Sequence, residues 1–235
     1  DNGYGGGAGT TALPAMSYGS NISSYNNIQY ATPADMLPLG MTFKAGYTPG
    51  GIGANANASS HNVNGDVNGS MNQYAVSMAP IDGLKVSASY YEFDEMGSAD
   101  GRQKQEGGSV GANYTIGQVS VGYGETIFAP AQRKAVAAGT TKTMHTENSA
   151  YSIGFAVNDN LSLSFTEENS ERKQKAKSAA NVLTRTNVEM EIQTIDLSYT
   201  MGGATIGLSN SEHTNDSYTA GDDTTETIFA ISLAF

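Results

Sequence analysis

Three histidines and several carboxylates are the side chains that could carry acid–base chemistry in this sequence. His145 precedes Glu147 by two positions, and His213 precedes Asp216 by three. A histidine beside an acid is the pair with which a hydrolase activates a nucleophile. Neither spacing completes a triad with a serine, and all three histidines, His61 included, fall in polar stretches that we predict to be loops. The sequence therefore predicts no catalytic residue and no enzymatic activity, with a hydrolase as an alternative.

Two acidic pairs are candidates for metal binding. Asp94–Glu95 and Asp222–Asp223 supply oxygen ligands of the kind that calcium takes from loops. Neither lies in an EF-hand pattern, so we interpret both as solvated loop acids and expect neither a metal nor a cofactor. The chain has no cysteine, which excludes thiol chemistry and disulfides. Its formal net charge of −11 argues against a nucleic-acid partner.

The elements that would position these side chains are β-strands. Apolar residues recur at every second position along most of the chain, which is typical of strands with two different faces. The segment 170–183 is the only plausible helix in the sequence, but it has no apolar stripe. We therefore predict that it is a solvated loop. Eleven strands are predicted, at 26–32, 39–48, 71–80, 84–93, 107–116, 118–128, 148–157, 160–168, 188–201, 203–211 and 224–235.

The two faces of these strands differ consistently. In the strand predicted at 160–168, Leu161, Leu163 and Phe165 lie opposite Ser162, Ser164 and Thr166. The connections alternate between short turns and long polar loops, as in a transmembrane β-barrel with short periplasmic turns and long extracellular loops. The fold class is therefore predicted to be an all-β transmembrane antiparallel barrel. Its lipid-facing side chains would include Phe43, Tyr114, Phe155, Phe165, Leu197 and Phe229.

Lysine and arginine side chains avoid the apolar face of the predicted strands. Ten of the twelve lysine and arginine residues lie in the predicted long loops or at their rims. A lipid-facing charge at the membrane midplane would cost about 2–4 kcal/mol, which explains their absence from the apolar face. Side chains on the polar face would line a channel, where charged rings decide which ions pass. The predicted pore-lining residues are Lys44, Lys85, Glu168, Asp196 and Glu226.

Two motifs resemble a known family. The ending "TETIFAISLAF" resembles the C-terminal signature of bacterial outer-membrane proteins, which the barrel-assembly machinery reads in that family. The stretch "YNNIQYATPADMLPLGMTFKAGYTPG" (25–50) is similar to the general trimeric porins, as is "VSVGYGET" (119–126). The resemblance implies a homotrimer in the outer membrane, in contact with lipid and lipopolysaccharide. It assigns the assembly signal to Phe229, Ile231, Leu233 and Phe235.

The number of strands departs from that family, because general porins have sixteen and this sequence predicts eleven. Eleven strands have the wrong parity to close an antiparallel barrel, so we expect the C-terminal eleven strands of a sixteen-stranded barrel. Residues 1–20 would then be the end of an inward-folded constriction loop, and 21–235 the barrel strands. The predicted function is passive diffusion of small hydrophilic solutes and ions through a water-filled channel. The alternatives are a structural or adhesive barrel whose loops bind a partner, and a barrel hydrolase.

Overall fold

The structure is a computed structural model of the 235-residue chain. It describes residues 27–33, 35–49, 70–93, 102–130, 132–133 and 136–233. Segment 1–20, His61, the Asp94–Glu95 pair and Phe235 therefore lie outside the described residues, and the predictions made for them stay predictions. No helix among the described residues is long and apolar enough to cross a membrane.

Eleven strands form one sheet in which every neighbouring pair is antiparallel. Neighbours in the sheet follow the order of the chain, so each inner strand pairs with the previous and the next strand of this sheet. These strands are β1 (Ile28–Ala31), β2 (Thr42–Thr48), β3 (Met71–Met78), β4 (Leu84–Phe93), β6 (Glu106–Ile116), β7 (Val119–Ala129), β9 (Thr140–Ala156), β10 (Leu161–Lys177), β11 (Leu183–Met201), β12 (Ala204–Thr214) and β13 (Thr224–Leu233). Two short strands, β5 (Arg102–Gln103) and β8 (Gln132–Arg133), pair with each other beyond the sheet.

The predicted all-β antiparallel fold of eleven strands is confirmed, but three strands are much longer than predicted. β9, β10 and β11 extend well beyond their apolar segments, because their polar outer halves still pair, with one register shift between β9 and β10 at Lys173–Gln174. Segment 170–183, which we predicted to be a solvated loop, is strand as far as Lys177 and turns only at 178–182. That prediction was wrong because cross-strand hydrogen bonds, and not an apolar face, hold this part of the hairpin.

The sheet is not closed among the described residues, since β1 and β13 each pair with a single neighbour. Its two faces match the alternation in the sequence. We call the face that carries Lys44 and Asp196 the polar face, and the opposite one the apolar face. Large side chains on the apolar face stay exposed, for example Ile153 at 49% and Phe229 at 63%. A soluble sheet would bury such a face, so its exposure is what a lipid-facing surface requires.

Buried apolar side chains gather on the polar face, at the ends of strands that lie far from the short turns. Met71, Tyr91 and Phe93 form one cluster, against which Phe128 packs. The Tyr91 ring lies so close to Gly107 that a Cβ there would be 2.6 Å from its Cε1 atom, so a larger residue would displace the ring. The sequence predicted a polar face of small residues along its whole length. The structure corrects this for the outer third of the strands.

Candidate functional site

All five predicted pore-lining residues lie on the polar face. Lys44 pairs in register with Ala75, and Lys85 with Asn113. Glu168, Asp196 and Glu226 lie opposite Ile192, Ser164 and Ser211. Lys44 and Lys85 are exposed, and the three acids are partly exposed.

The structure separates these charges by sign across the sheet. The two lysines lie on β2 and β4, the second and fourth strands in the sheet order. The three acids lie on β10, β11 and β13, near the other end of that order. The acids also occupy three successive cross-strand rows on the polar face. Asp196, Glu226 and Glu168 therefore lie at increasing distances from the short turns. Acidic and basic walls that are set apart in this way create a field across the space between them.

Hydroxyl groups cover much of the polar face between these charges. Their oxygens form cross-strand contacts of 2.7–3.1 Å, which pair Thr42 with Ser77, Ser89 with Ser109, Thr115 with Ser120, Thr194 with Ser211 and Thr200 with Thr205. These side chains are too short to interlock with a facing layer, and they keep lone pairs for water. The surface is suited to lining an aqueous space.

A loop at 215–223 folds back over the polar face and carries Tyr218 with it. The Tyr218 side chain is 7% exposed and packs on Met190 and Ile192, with Val188 at the edge of the cluster. The centre of its ring lies 3.6 Å from the guanidinium carbon of Arg172, which is a cation–π contact. This loop therefore narrows the space over the outer end of the polar face, next to β11.

Hydrogen bonds hold the Tyr218 hydroxyl in place. Its oxygen lies 2.6 Å from Oγ of Ser170, whose own proton goes to Oδ1 of Asn148, so Tyr218 is the donor. Asn148 in turn donates from Nδ2 to Oγ1 of Thr126, at 2.8 Å. The chain of bonds crosses three strands, and Ser170 and Asn148 are themselves 0% and 3% exposed. Buried and satisfied polar groups of this kind fix a single conformation.

The loop is also held by its own backbone. Asn215 accepts a hydrogen bond from the Gly221 amide at 2.8 Å and donates its backbone amide to Asp223 Oδ1 at 3.0 Å. Asn215 and Tyr218 have positive φ angles of 53° and 60°, a conformation that costs a non-glycine residue about 1 kcal/mol or more. The loop therefore keeps Tyr218 in position through several contacts and not through the ring alone. No local pattern in the sequence indicates this position, because Tyr218 contacts Ser170 and Met190, which are far from it in the chain.

The two described histidines lie on strands and not in loops, which corrects the sequence-based prediction. His145 is on β9, and its Nε2 lies 3.0 Å from Glu147 Oε1. His213 is on β12 at 4% exposure, and its Nδ1 makes no hydrogen bond within the described structure. His145 therefore has an acid partner, as a hydrolase needs. No serine contacts that pair among the described hydrogen bonds.

The residues predicted to face lipid all lie on the apolar face, and none is buried. Phe43, Phe155 and Phe229 are exposed, whereas Tyr114, Phe165 and Leu197 are partly covered by neighbours. Ile231 and Leu233 continue the same face at 60% and 57% exposure. Within the described residues, no group of three or more histidines or acids is arranged to hold a metal ion.

Comparison with solved structures identifies chains of similar fold. No family model and no curated protein matches the chain. Among solved structures, the chain is similar to OmpTdeltaL8, a loop L8 deletion mutant of OmpT, an outer membrane protein of Vibrio cholerae. The TM-score is 0.53 at 16% identity, over 98% of this chain and 68% of that one. The chain has the fold of an outer-membrane β-barrel.

The fold agrees with the two-sided sheet described above. The structural neighbour also confirms the predicted location in the bacterial outer membrane. Neither sixteen strands nor a place among the general porins follows from it. One prediction has to be corrected. We expected that the chain is not an enzyme. The finding that overturns this expectation is the structural similarity to OmpT. A barrel shared at 16% identity shows the fold alone. Because one fold supports unrelated functions, the expectation of no enzymatic activity is withdrawn.

Proposed function

We propose that the chain forms part of a water-filled channel through which small hydrophilic solutes and ions diffuse passively across the outer membrane. The observation that carries this proposal is the polar face, which among the described residues has hydroxyl pairs from the short turns up to the middle of the strands, where mostly small side chains leave the interior unfilled. A barrel of about sixteen strands leaves an aqueous channel when its interior is lined in this way. The resemblance to general porins points to the same function.

The separated charges give this channel an expected preference. Lys44 faces the acids from across the sheet, so a solute with a dipole would be oriented as it passes. Three acids against two lysines favour cations weakly. From the resemblance we also propose a homotrimer, contact with outer-membrane lipid and lipopolysaccharide, and insertion by the barrel-assembly machinery.

A planar bilayer tests the proposal directly. The purified protein should produce discrete, stepwise conductance, because a fixed aqueous path opens with each insertion. The same preparation is assayed for peptide and ester hydrolysis, since the pair of His145 and Glu147 supports a barrel hydrolase as the second candidate. If the protein showed no conductance and a hydrolytic activity that His145→Ala abolishes, its function would be that of an enzyme and not of a channel.

The orientation of the two faces has its own test. Ile153 on the apolar face and Ser152 on the polar face are neighbours in the middle of the apolar part of β9. We expect Ile153→Arg to lower the free energy of unfolding in lipid vesicles by about 2–4 kcal/mol, since the charge would meet hydrocarbon. Ser152→Arg should cost much less, because its side chain meets water. Urea titration of both variants measures the difference, and equal losses would contradict the assignment of the faces.

A further inference from the structure

The outer parts of β9, β10 and β11 carry a row of three cations across the sheet. Lys175 pairs in register with Lys142 on one side and with Arg185 on the other. We call these three residues the basic row. Lys175 has the same parity on β10 as Phe165, which lies on the apolar face, and residues paired directly across strands share a face. The basic row therefore points away from the channel, on the outward side of the sheet.

Positive charge in the basic row is not neutralised by nearby acids. Cations directly opposite one another on neighbouring strands repel each other. Among the described residues, neither Lys175 nor Arg185 forms an ion pair with a carboxylate, and the same holds for Lys177, the next outward residue of β10. Arg185 is exposed, and the two lysines are partly exposed. In a chain with a formal net charge of −11, this is a local site that an anion can reach.

The acids on the same face of these strands lie nearer the membrane. Glu171 lies four positions before Lys175, and Glu189 lies four positions after Arg185, which is about 13 Å along each strand. That distance exceeds the Debye length of about 8 Å at physiological ionic strength. Lys173, between the two rows, bonds to Glu171. The acidic row is therefore partly neutralised by its own lysine, and it leaves the basic row free for another anion.

The basic row lies above the hydrocarbon of the membrane. Lys175 lies fourteen positions after Leu161, the first residue of β10 beyond a short turn. Each residue of a tilted strand climbs about 2.5 Å, so the row lies roughly 35 Å above that turn, whereas the apolar band is about 25 Å tall. With the short turns at the periplasmic side, the row is roughly 10 Å outside the hydrocarbon. Phospholipid head groups occupy only about 5–7 Å there, so the row lies beyond them.

We propose that the basic row binds a phosphate group on the sugar head group of lipopolysaccharide, the lipid of the outer leaflet. This head group is built of sugars that carry phosphate esters, and it extends past the level of phospholipid head groups. The guanidinium of Arg185 can donate two parallel hydrogen bonds to one phosphate, and Lys175 adds a point charge. Neighbouring strands are about 4.8 Å apart, so both cations reach the same phosphate.

The inference goes beyond the general contact with lipopolysaccharide proposed above, because it assigns the site and the chemical group that is bound. It depends on the location in the outer membrane and on the orientation of the strands, and not on the channel function.

Native mass spectrometry of the detergent-solubilised protein tests this proposal. The probes are a short-core lipopolysaccharide, the same lipopolysaccharide after removal of its phosphate esters, and phosphatidylglycerol. EDTA is present throughout, so that no divalent cation bridges the lipid to the glutamates. We expect the phosphorylated lipopolysaccharide to be retained roughly fivefold more than either other probe, as two exposed charge-assisted contacts would give. Equal retention with and without phosphate, or equal retention of phosphatidylglycerol, would overturn the proposal.

Variants locate the binding. The double change Lys175→Gln and Arg185→Gln should lower retention of the phosphorylated lipopolysaccharide to that of the dephosphorylated form. The matched double change Lys44→Gln and Lys85→Gln removes the same charge from the polar face and should leave retention unchanged. Circular dichroism confirms that each variant is folded. An equal loss in both double variants would show a general effect of charge and would contradict a site in the basic row, as would full retention by the first.

Inorganic phosphate distinguishes a lipid site from a site for the free anion. At a concentration equal to that of the lipid, it should not displace lipopolysaccharide, because the sugars and acyl chains of the lipid add contacts that the free ion lacks. Displacement under these conditions would assign the basic row to free phosphate and would contradict the lipid proposal.

Discussion

Replacing Tyr218 by alanine should increase the single-channel conductance. The ring packs on Met190 and Ile192 over the polar face, and its hydroxyl ends the hydrogen-bond chain that starts at Thr126. Removing a buried aromatic side chain costs about 3–5 kcal/mol, so the loop at 215–223 would no longer be held against the wall. The outer end of the channel would then widen. Recordings in planar bilayers at constant salt measure the change.

Two variants control for this effect. Tyr218→Phe removes only one hydrogen bond, worth about 1 kcal/mol, and should keep the conductance near that of the unmodified protein. Tyr199→Ala removes the same kind of ring from the apolar face and should also leave the conductance unchanged. A Tyr218→Ala channel with unaltered conductance would show that this loop does not narrow the path.

Charge reversal on the polar face should change ion selectivity. We expect Lys44→Glu to shift the reversal potential in a salt gradient towards cations, and Asp196→Lys to shift it towards anions. Changing a charge by two units at about 5 Å from an ion alters its energy by roughly 1.7 kcal/mol in water before screening, enough to change a permeability ratio several-fold. Because salt screens this interaction, both shifts should be larger at low ionic strength.

Matched controls make the same charge changes away from the polar face. Lys142→Glu changes a residue near the outer end of β9. Asp159→Lys changes a residue in the short turn between β9 and β10. Lys142→Glu should move the reversal potential less than Lys44→Glu does, and Asp159→Lys less than Asp196→Lys does. If the variants at positions 44 and 142 behaved alike, the selectivity would depend on overall charge and not on a particular wall.

The apolar clusters of the polar face were out of reach of sequence analysis. Tyr91 and Phe93 have the parity of a water-facing residue, and strand periodicity assigns them to an aqueous face. They are buried because they pack with Met71 and Phe128, which the folded sheet brings together at the outer ends of the strands. Tyr218 lies in a polar loop with no periodicity at all. Contacts of this kind depend on where loops fold, and local patterns carry no information about that.

The sequence by itself determined the strands, their faces and their order in the sheet. A period of two leaves only one choice of face for each residue, so Lys44 and Asp196 could be assigned to the polar face without coordinates. Register, strand length and loop position were decided by the tertiary structure. The polar segment 170–177 is strand because its backbone groups find partners on β9 and β11. The burial of Tyr218 likewise arises from contacts between distant segments, since only the folded chain brings it against Met190 and Ser170.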